Sequence, residues 1–561
     1  MDARLDVRIG GRIETAAPTH SVPARDRVAI LALLVLAVSV HGWLFSRTTV
    51  NARDGLSFTR LALQLESPSR IQSPTLESPT LVDVLKKAEQ APGYPLAMLA
   101  VSKVVRAVKP VTAESANHRD AELGERMLLS GQIANCLAGI LLVVPMYLLG
   151  RMLGGKFVGF AGAAFFQVLP VAAHVTSDTL SEGCYLLGLS SALWLGCRGL
   201  RRSGIGNFLA AGGIAGVTYL VRPEGLLVVL AIGAVTAWQG LSKSWPWSRV
   251  AGCLAALAVG VSLVAVPYMM MIGGRITNKP SSLELMKNLS GQPRMPIGKW
   301  DGGMAKPGPM IFARWYNPSD PNSVTLVGKL TFAVSAVAME TLKSAHYAPV
   351  LFAAFAIYAL RRRFRTDPAL ALLGTYMSFN AGLLIVFAAR IGYVSERHTL
   401  PLAMVLCPLA AAGLVPFIHV ASKYLLFGSL LQPRRDRWIL ALAVIVSALP
   451  SATKPLHETR IGFRHAGNYL ADVYREGDII VDPFSWSEFY AGPAVTKLIP
   501  ENESSKVLYT VLDGPADTSK HVRLPKMDMA RSIAKSGKPV YHWPEDRPIE
   551  EATVVVYKTV R

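Results

Sequence analysis

The sequence predicts a polytopic α-helical membrane protein of about eleven transmembrane helices, with a small α/β extracytoplasmic domain at its C-terminal end. Three observations predict this. The 561-residue chain is 51% hydrophobic and only 17% charged, whereas soluble proteins carry about 25% charged residues. Its apolar residues gather into repeated stretches of near-membrane length instead of one alternating core pattern. Its polar residues are uneven: short basic clusters separate some stretches, and three long polar pieces separate others.

Residues 1–27 carry Arg4, Arg8, Arg12, Arg25 and Arg27 and read as a basic cytosolic tail. The apolar run 28–46 is long enough to span a bilayer. No small-x-small cleavage pattern follows it in His41-Gly42-Trp43-Leu44-Phe45, so it reads as a retained helix and not a secretory signal. Further spans are expected near 126–149, 157–173, 181–197, 205–220, 224–239, 250–272, 348–360, 369–389, 399–419 and 437–451. Residues 326–342 are apolar enough for another span or an interfacial helix.

Charge orients these spans. With the N-terminus inside, the inner loops hold Arg151 and Lys156; Arg198, Arg201 and Arg202; Lys243 and Arg249; Arg361, Arg362, Arg363 and Arg365; and Lys423, Arg434, Arg435 and Arg437. Every inner loop is then basic, as the positive-inside rule requires. This distribution assigns the net charge of +20 to anionic headgroups of membrane lipids and excludes a nucleic-acid partner. Cys136, Cys184, Cys197, Cys253 and Cys407 all fall in or beside apolar segments, without CxxC spacing. They read as packing residues, not as a zinc site or disulfide framework.

The same orientation puts three polar pieces outside: loops 47–125 and 273–347 of a transmembrane domain spanning 28–451, and the C-terminal domain 452–561. Strand patterns at Asp478-Ile479-Ile480-Val481-Asp482 and at Ala552-Thr553-Val554-Val555-Val556-Tyr557, with helical patterns between them, give that domain its α/β class. Asn288-Leu289-Ser290 and Asn502-Glu503-Ser504 are formal glycosylation acceptors, a motif short enough to occur by chance. Gly154-Gly155 and Gly212-Gly213 lack phosphate-loop context and fit helix packing or turns. Leu81 to Gln90, with Lys86 and Lys87, reads as an amphipathic stretch.

Charged residues at the outer ends of spans are the candidates for chemistry, because charge near a bilayer is costly to keep. Asp54 follows the first span. Asp178 and Glu182, in Ser177-Asp178-Thr179-Leu180-Ser181-Glu182, have the i,i+4 spacing that places two carboxylates on one helix face. Arg222 and Glu224 flank Pro223 between two spans; Arg390, Glu396, Arg397 and His398 precede another. Each alone also fits an interfacial charge that caps a helix or snorkels to headgroups. Together they read as one polar cavity, with a carboxylate able to take a proton from an acceptor hydroxyl and arginines able to hold a phosphate.

An Asp after the first span, the loop Ala91-Pro92-Gly93-Tyr94-Pro95, Ser177 to Gly183, Arg222-Pro223-Glu224-Gly225, Gly392 to Pro401 and Asp482 to Gly492 resemble the C-type glycosyltransferases. These are membrane enzymes that use polyprenyl-phosphate sugars. The nearest branch is the dolichyl-phosphate-mannose protein mannosyltransferase and aminoarabinose transferase group. The resemblance covers roughly residues 28–500. It implies the C-type fold, sugar transfer at the outer face, and Asp54 as the base or acceptor-positioning group. The donor it implies is a polyprenyl-phosphate-linked sugar; the acceptor is a lipid, protein or glycan. Protein mannosyltransferases have Asp-Glu where this chain has Asp54-Gly55, and His where it has Ala91, so the acceptor stays open.

With the resemblance, Asp54 is the expected catalytic residue, and Asp178, Glu182, Arg222, Glu224, Arg397 and His398 are expected to bind substrate. Arg222 and Arg397 are placed at the phosphate. Asp178 and Glu182 orient sugar or acceptor, or supply oxygen ligands to a divalent cation; no metal or other cofactor is assigned. The expected location is a bacterial inner membrane with a periplasmic site, a topology that an endoplasmic-reticulum protein with a lumenal site would share. A transporter or flippase of a lipid-linked sugar is the competing reading, and a non-catalytic carbohydrate-binding scaffold the third. The first explains the charges equally well but needs neither the long first outer loop nor the C-terminal domain, and no internal repeat of the transporter kind is visible.

Overall fold

The computed structural model describes residues 24–68, 80–202, 204–278, 326–391, 393–424, 433–475, 477–492, 507–517 and 527–560. Most of the basic tail, Gly392, and the acceptor motifs at Asn288 and Asn502 lie outside the described residues.

The chain is mostly helical. α1 (Ala24–Ser46) is followed by α2 (Arg53–Glu66), α3 (Leu81–Lys87) and α4 (Gly93–Val108), which together form the first long loop. Then come α5 (Ala116–Leu141), α6 (Val143–Gly154), α7 (Lys156–Val168), α8 (Pro170–Thr176), α9 (Glu182–Arg202), α10 (Ile205–Val221), α11 (Leu227–Leu241) and α12 (Trp247–Met271). Helices Leu326–Ser344, Ala348–Leu360, Pro368–Ile391, Glu396–Tyr424 and Pro433–Ala452 complete the bundle.

Six helical stretches among the described residues are long and apolar enough to cross a membrane: Asp26–Ser46, Ala116–Gly154, Pro223–Leu241, Trp247–Met271, Pro368–Arg390 and Glu396–Ser422. α7 and α8, bent by 70° at their break, make a seventh if taken as one span. This is a multi-pass membrane protein with fewer clear spans than the expected eleven or so. α10 and Ala348–Leu360 are apolar but shorter, and α9 covers its expected span with a more polar composition.

Close helix contact is bought with missing side chains. A Cβ on Gly212 of α10 would lie 2.3 Å from the Leu257 carbonyl of α12, and one on Gly260 would lie 2.2 Å from the Leu209 carbonyl. With little hydrophobic drive between helices in lipid, such backbone approach supplies the packing. At the opposite end from the candidate site, buried Asp26 opens α1 and accepts from Tyr147 Oη at 2.8 Å and pairs with Arg151 at 2.8 Å.

The C-terminal segment carries helices Ile461–Val473, Trp486–Tyr490 and Met527–Ala534 and a four-stranded sheet. Its strands are β1 (Ile479–Val481), β2 (Val507–Asp513), β3 (Lys538–Trp543) and β4 (Val554–Val560), in the order β1-β2-β4-β3. β1 and β2 are parallel; β4 runs antiparallel to both β2 and β3. Phe463, Phe484, Trp486, Phe489 and Tyr490 belong to the same buried cluster as Tyr94 and Met127 of the bundle. The segment therefore packs directly on the bundle, with polar ties from Arg464 to Glu125 (2.7 Å) and from His118 to Asp472 (2.8 Å). Burial pushes the Asp482 carboxyl above its ordinary 3.8, against the backbone N–H groups of Phe484 and Glu488 that donate to it.

Candidate functional site

Four helix starts and breaks meet at one end of the bundle. α2 opens with Arg53-Asp54, α9 opens with Glu182, α10 ends before Arg222-Pro223, and the long helix Glu396–Tyr424 opens with Glu396-Arg397. Acids at the first turns of α2 and α9 face the positive helix ends, which favour them. Arg222 takes an extended backbone, φ −150° and ψ 133°, as a residue before proline must. That break turns its side chain out of the helical row and back toward α9.

The result is a chain of alternating charges. Asp54 Oδ2 accepts from Arg397 Nη1 at 3.0 Å. Glu182 Oε1 accepts from Arg397 Nε at 2.9 Å, from Arg397 Nη2 at 2.7 Å and from Arg222 Nη2 at 2.9 Å. Arg222 Nε also donates to Ser181 Oγ at 3.0 Å, and its guanidinium lies over the Tyr185 ring. Glu182 is 1% exposed and Asp54 58% exposed. A carboxylate so deeply buried is tenable because two guanidinium groups compensate it. Glu182 Oε2 has no hydrogen-bond partner among the described residues.

A small open cleft adjoins this chain, lined by Phe58, Glu89, Gln90, Arg222, Glu224 and Thr277 among others. Phe58 lies one helical turn beyond Asp54, and Arg222 belongs to both the cleft and the ion chain. The structure therefore brings together Asp54, Glu182, Arg222, Glu224 and Arg397. His398 is next to Arg397 in sequence, but its ring hydrogen-bonds with Ser395 Oγ at 2.8 Å and packs near Phe387 and Tyr393. Lys86 and Lys87 close α3, whose start is held by a reciprocal Thr80–Asp83 cap.

One expectation is corrected. Asp178 and Glu182 do not share a helix face, because residues 177–181 form a series of bends and α9 begins at Glu182. Buried Asn135 stabilises the bends by donating to the Val175 and Asp178 carbonyls (2.7 and 2.9 Å) and accepting from Gly183 N–H at 2.7 Å. Asp178 consequently meets a different set of partners: Ala52 N–H at 3.1 Å, Thr179 N–H at 2.7 Å and His457 Nε2 at 2.8 Å. Gly55 closes this junction. A Cβ there would sit 2.5 Å from the Thr179 carbonyl oxygen, so the Glu that protein mannosyltransferases have at this place does not fit here.

Sequence reasoning gave no site role to His457, and none of this kind to Asn51 or Trp486, although both lie in stretches it singled out. Their contacts exist only in the fold, and His457 is 279 residues from Asp178. Among the described residues, no group of three or more His, Cys, Asp or Glu side chains is arranged to hold a metal ion.

Residues 121–265 match the family model described as dolichyl-phosphate-mannose-protein mannosyltransferase. The matched stretch includes Asp178, Glu182, Arg222 and Glu224, and the resemblance to polyprenyl-phosphate-sugar glycosyltransferases holds over it. No curated protein matches the chain. Among solved structures, the chain is similar to the apo oligosaccharyltransferase of Archaeoglobus fulgidus, at 12% identity and TM-score 0.48 over 86% of this chain and 65% of that one. It thus spans just under two thirds of that neighbour's length. It is also similar to ArnT from Cupriavidus metallidurans, solved with undecaprenyl phosphate, at 13% identity and TM-score 0.46 over 96% and 98% of the two chains. A third likeness is to the arabinosyltransferase EmbB of Mycobacterium smegmatis, at 13% identity and TM-score 0.33 over 82% of this chain and 34% of that one.

Proposed function

We propose that the protein is a membrane glycosyltransferase that moves a sugar from a polyprenyl-phosphate donor to an acceptor hydroxyl of a lipid, protein or glycan at the outer face of a bacterial inner membrane. The observation that carries this reading is the exposed carboxylate of Asp54, tied through Arg397 and Glu182 to an arginine that lines a polar cleft. The family match adds the donor class, since the family is described by a lipid-phosphate sugar.

In this reading the acceptor oxygen attacks the anomeric carbon, the bond from that carbon to the phosphate oxygen breaks, and Asp54 takes the hydroxyl proton. Proton removal by a positioned base contributes about 10²–10⁴-fold. The leaving group is a phosphate, which needs positive charge more than it needs an acid. Arg222 spends Nε and Nη2 on Ser181 and Glu182, and its Nη1 is assigned to a phosphate oxygen. Arg397 supports that charge and fixes Asp54. Glu182 keeps both guanidinium groups in place, and its second oxygen is assigned to a sugar or acceptor hydroxyl. Glu224 borders the sugar position, with His398 further out.

The test is transfer by purified protein from a panel of polyprenyl-phosphate sugars. Release of polyprenyl phosphate by wild type, reduced about 100-fold or more in Asp54→Asn, supports the reading. Donor binding without cleavage, accompanied by translocation in vesicles, overturns it in favour of a flippase.

A further inference from the structure

The helix that carries Asp54 has no cap of its own. Ala52 precedes α2 and offers no side-chain hydrogen bond to the first turn, although such ends leave several N–H groups unpaired. The backbone just before α2 is held from elsewhere, group by group. Ala52 N–H donates to Asp178 Oδ1 and Oδ2 at 3.1 and 3.2 Å. The Asn51 carbonyl accepts from Trp486 Nε1 at 2.9 Å. The Thr49 carbonyl accepts from Arg464 Nη1 at 3.4 Å, and Thr49 Oγ1 donates to the Leu456 and His457 carbonyls at 3.5 and 3.4 Å.

Every one of these partners except Asp178 comes from the segment that follows the last bundle helix, and Asp178 is itself held by that segment through His457 Nε2 at 2.8 Å. His457 takes a left-handed backbone, φ 53° and ψ 27°, a conformation that side-chain-bearing residues seldom adopt without a constraint. Asp178 is 2% exposed, and donors from Ala52, Asn51, Thr179 and His457 surround it. Arg460 lies 4.6 Å over the Trp486 ring and backs that contact.

We infer that the C-terminal segment acts as a latch on the Asp54 loop. His457, through Asp178, and Trp486, through the Asn51 carbonyl, are positioning residues that set where the Asp54 carboxylate stands. The inference rests on the reading of Asp54 as the base and gives the C-terminal segment a part in transfer. Positional errors of about 1 Å at a reacting group cost large factors in rate, so a latch two residues from the base is well placed to matter.

Two measurements test it. The first needs no activity: hydrogen–deuterium exchange of the full-length protein in nanodiscs, comparing wild type with His457→Ala and with Trp486→Phe, which stays aromatic but loses the indole N–H together with its five-membered ring. Faster exchange confined to residues 49–56 is expected in both variants. Unchanged exchange there, or faster exchange throughout the bundle, overturns the latch. The second is a cycle of His457→Ala with Asp54→Asn, read as turnover from a polyprenyl-phosphate sugar. His457→Ala is expected to lower kcat about 10- to 100-fold with donor KM within about threefold, His457→Gln to recover most of the loss by restoring a donor, and His457→Ala to cost little further in the Asp54→Asn background. Equal cost in both backgrounds contradicts action through Asp54. If wild type transfers no sugar while the exchange result is as expected, the glycosyltransferase reading fails and the latch stands.

Discussion

Glu182 concentrates the electrostatics of the site on a single oxygen, since Oε1 takes all three guanidinium hydrogen bonds. Replacing it by Gln leaves two arginines beside a neutral amide. Because breaking a buried ion pair strands the remaining charge, Glu182→Gln is expected to cost roughly 3 kcal/mol of stability, measured as thermal unfolding in detergent, and to abolish most turnover. A loss under about 0.5 kcal/mol, the level of an ordinary surface change, would contradict the compensated-charge account. The residues of this chain were legible in the sequence because charges at the ends of apolar runs are few and costly. The positioning roles proposed for His457 and Trp486 were not, because they depend on a carboxylate and a backbone carbonyl brought to them only by the fold.

At the scale of elements, the site depends on junctions where helices stop. Asp178 and Glu182 have helical spacing, yet Asn135 satisfies the turn's backbone groups and releases Asp178 from the helix. Spacing alone could not reveal that competition. The α2 start packs on this turn through Gly55, and Gly55→Ala would push its Cβ against the Thr179 carbonyl. Overpacking of this kind costs about 1–3 kcal/mol, and the variant should lose turnover together with melting temperature. An active, fully stable Gly55→Ala protein would show that the junction yields. In the C-terminal segment, Asp482 carries a carboxyl raised by burial. The folded state then binds its proton more tightly than the unfolded state does. This group's stabilisation is complete at low pH and is lost as pH rises from the ordinary 3.8 through the raised folded value. Asp482→Asn should flatten that part of the stability–pH curve; an unchanged slope would contradict the assignment.

For the whole molecule, membrane character followed from composition; the strand at 479–481 falls within the run 478–482 read from the sequence, and the strand at 554–560 overlaps the run 552–557. The number of spans did not follow as cleanly, because bends such as the 70° break between α7 and α8 interrupt apolar runs without a change of composition. The proposed orientation has its own check. A cysteine at Lys87 should react with an impermeant maleimide from outside, and one at Arg362 only after permeabilisation. With the partly buried Cys184 replaced by Ser, background should be low, since Cys136, Cys197, Cys253 and Cys407 are buried. The reverse pattern would put the Asp54 cleft inside. The most direct measurement is single-turnover release of polyprenyl phosphate from a matched lipid-phosphate sugar by wild type and by Asp54→Asn in nanodiscs. The account predicts release by wild type and a rate about 100-fold or more lower in the variant, with donor binding retained. Equal rates in the two proteins would contradict the placing of the base at Asp54.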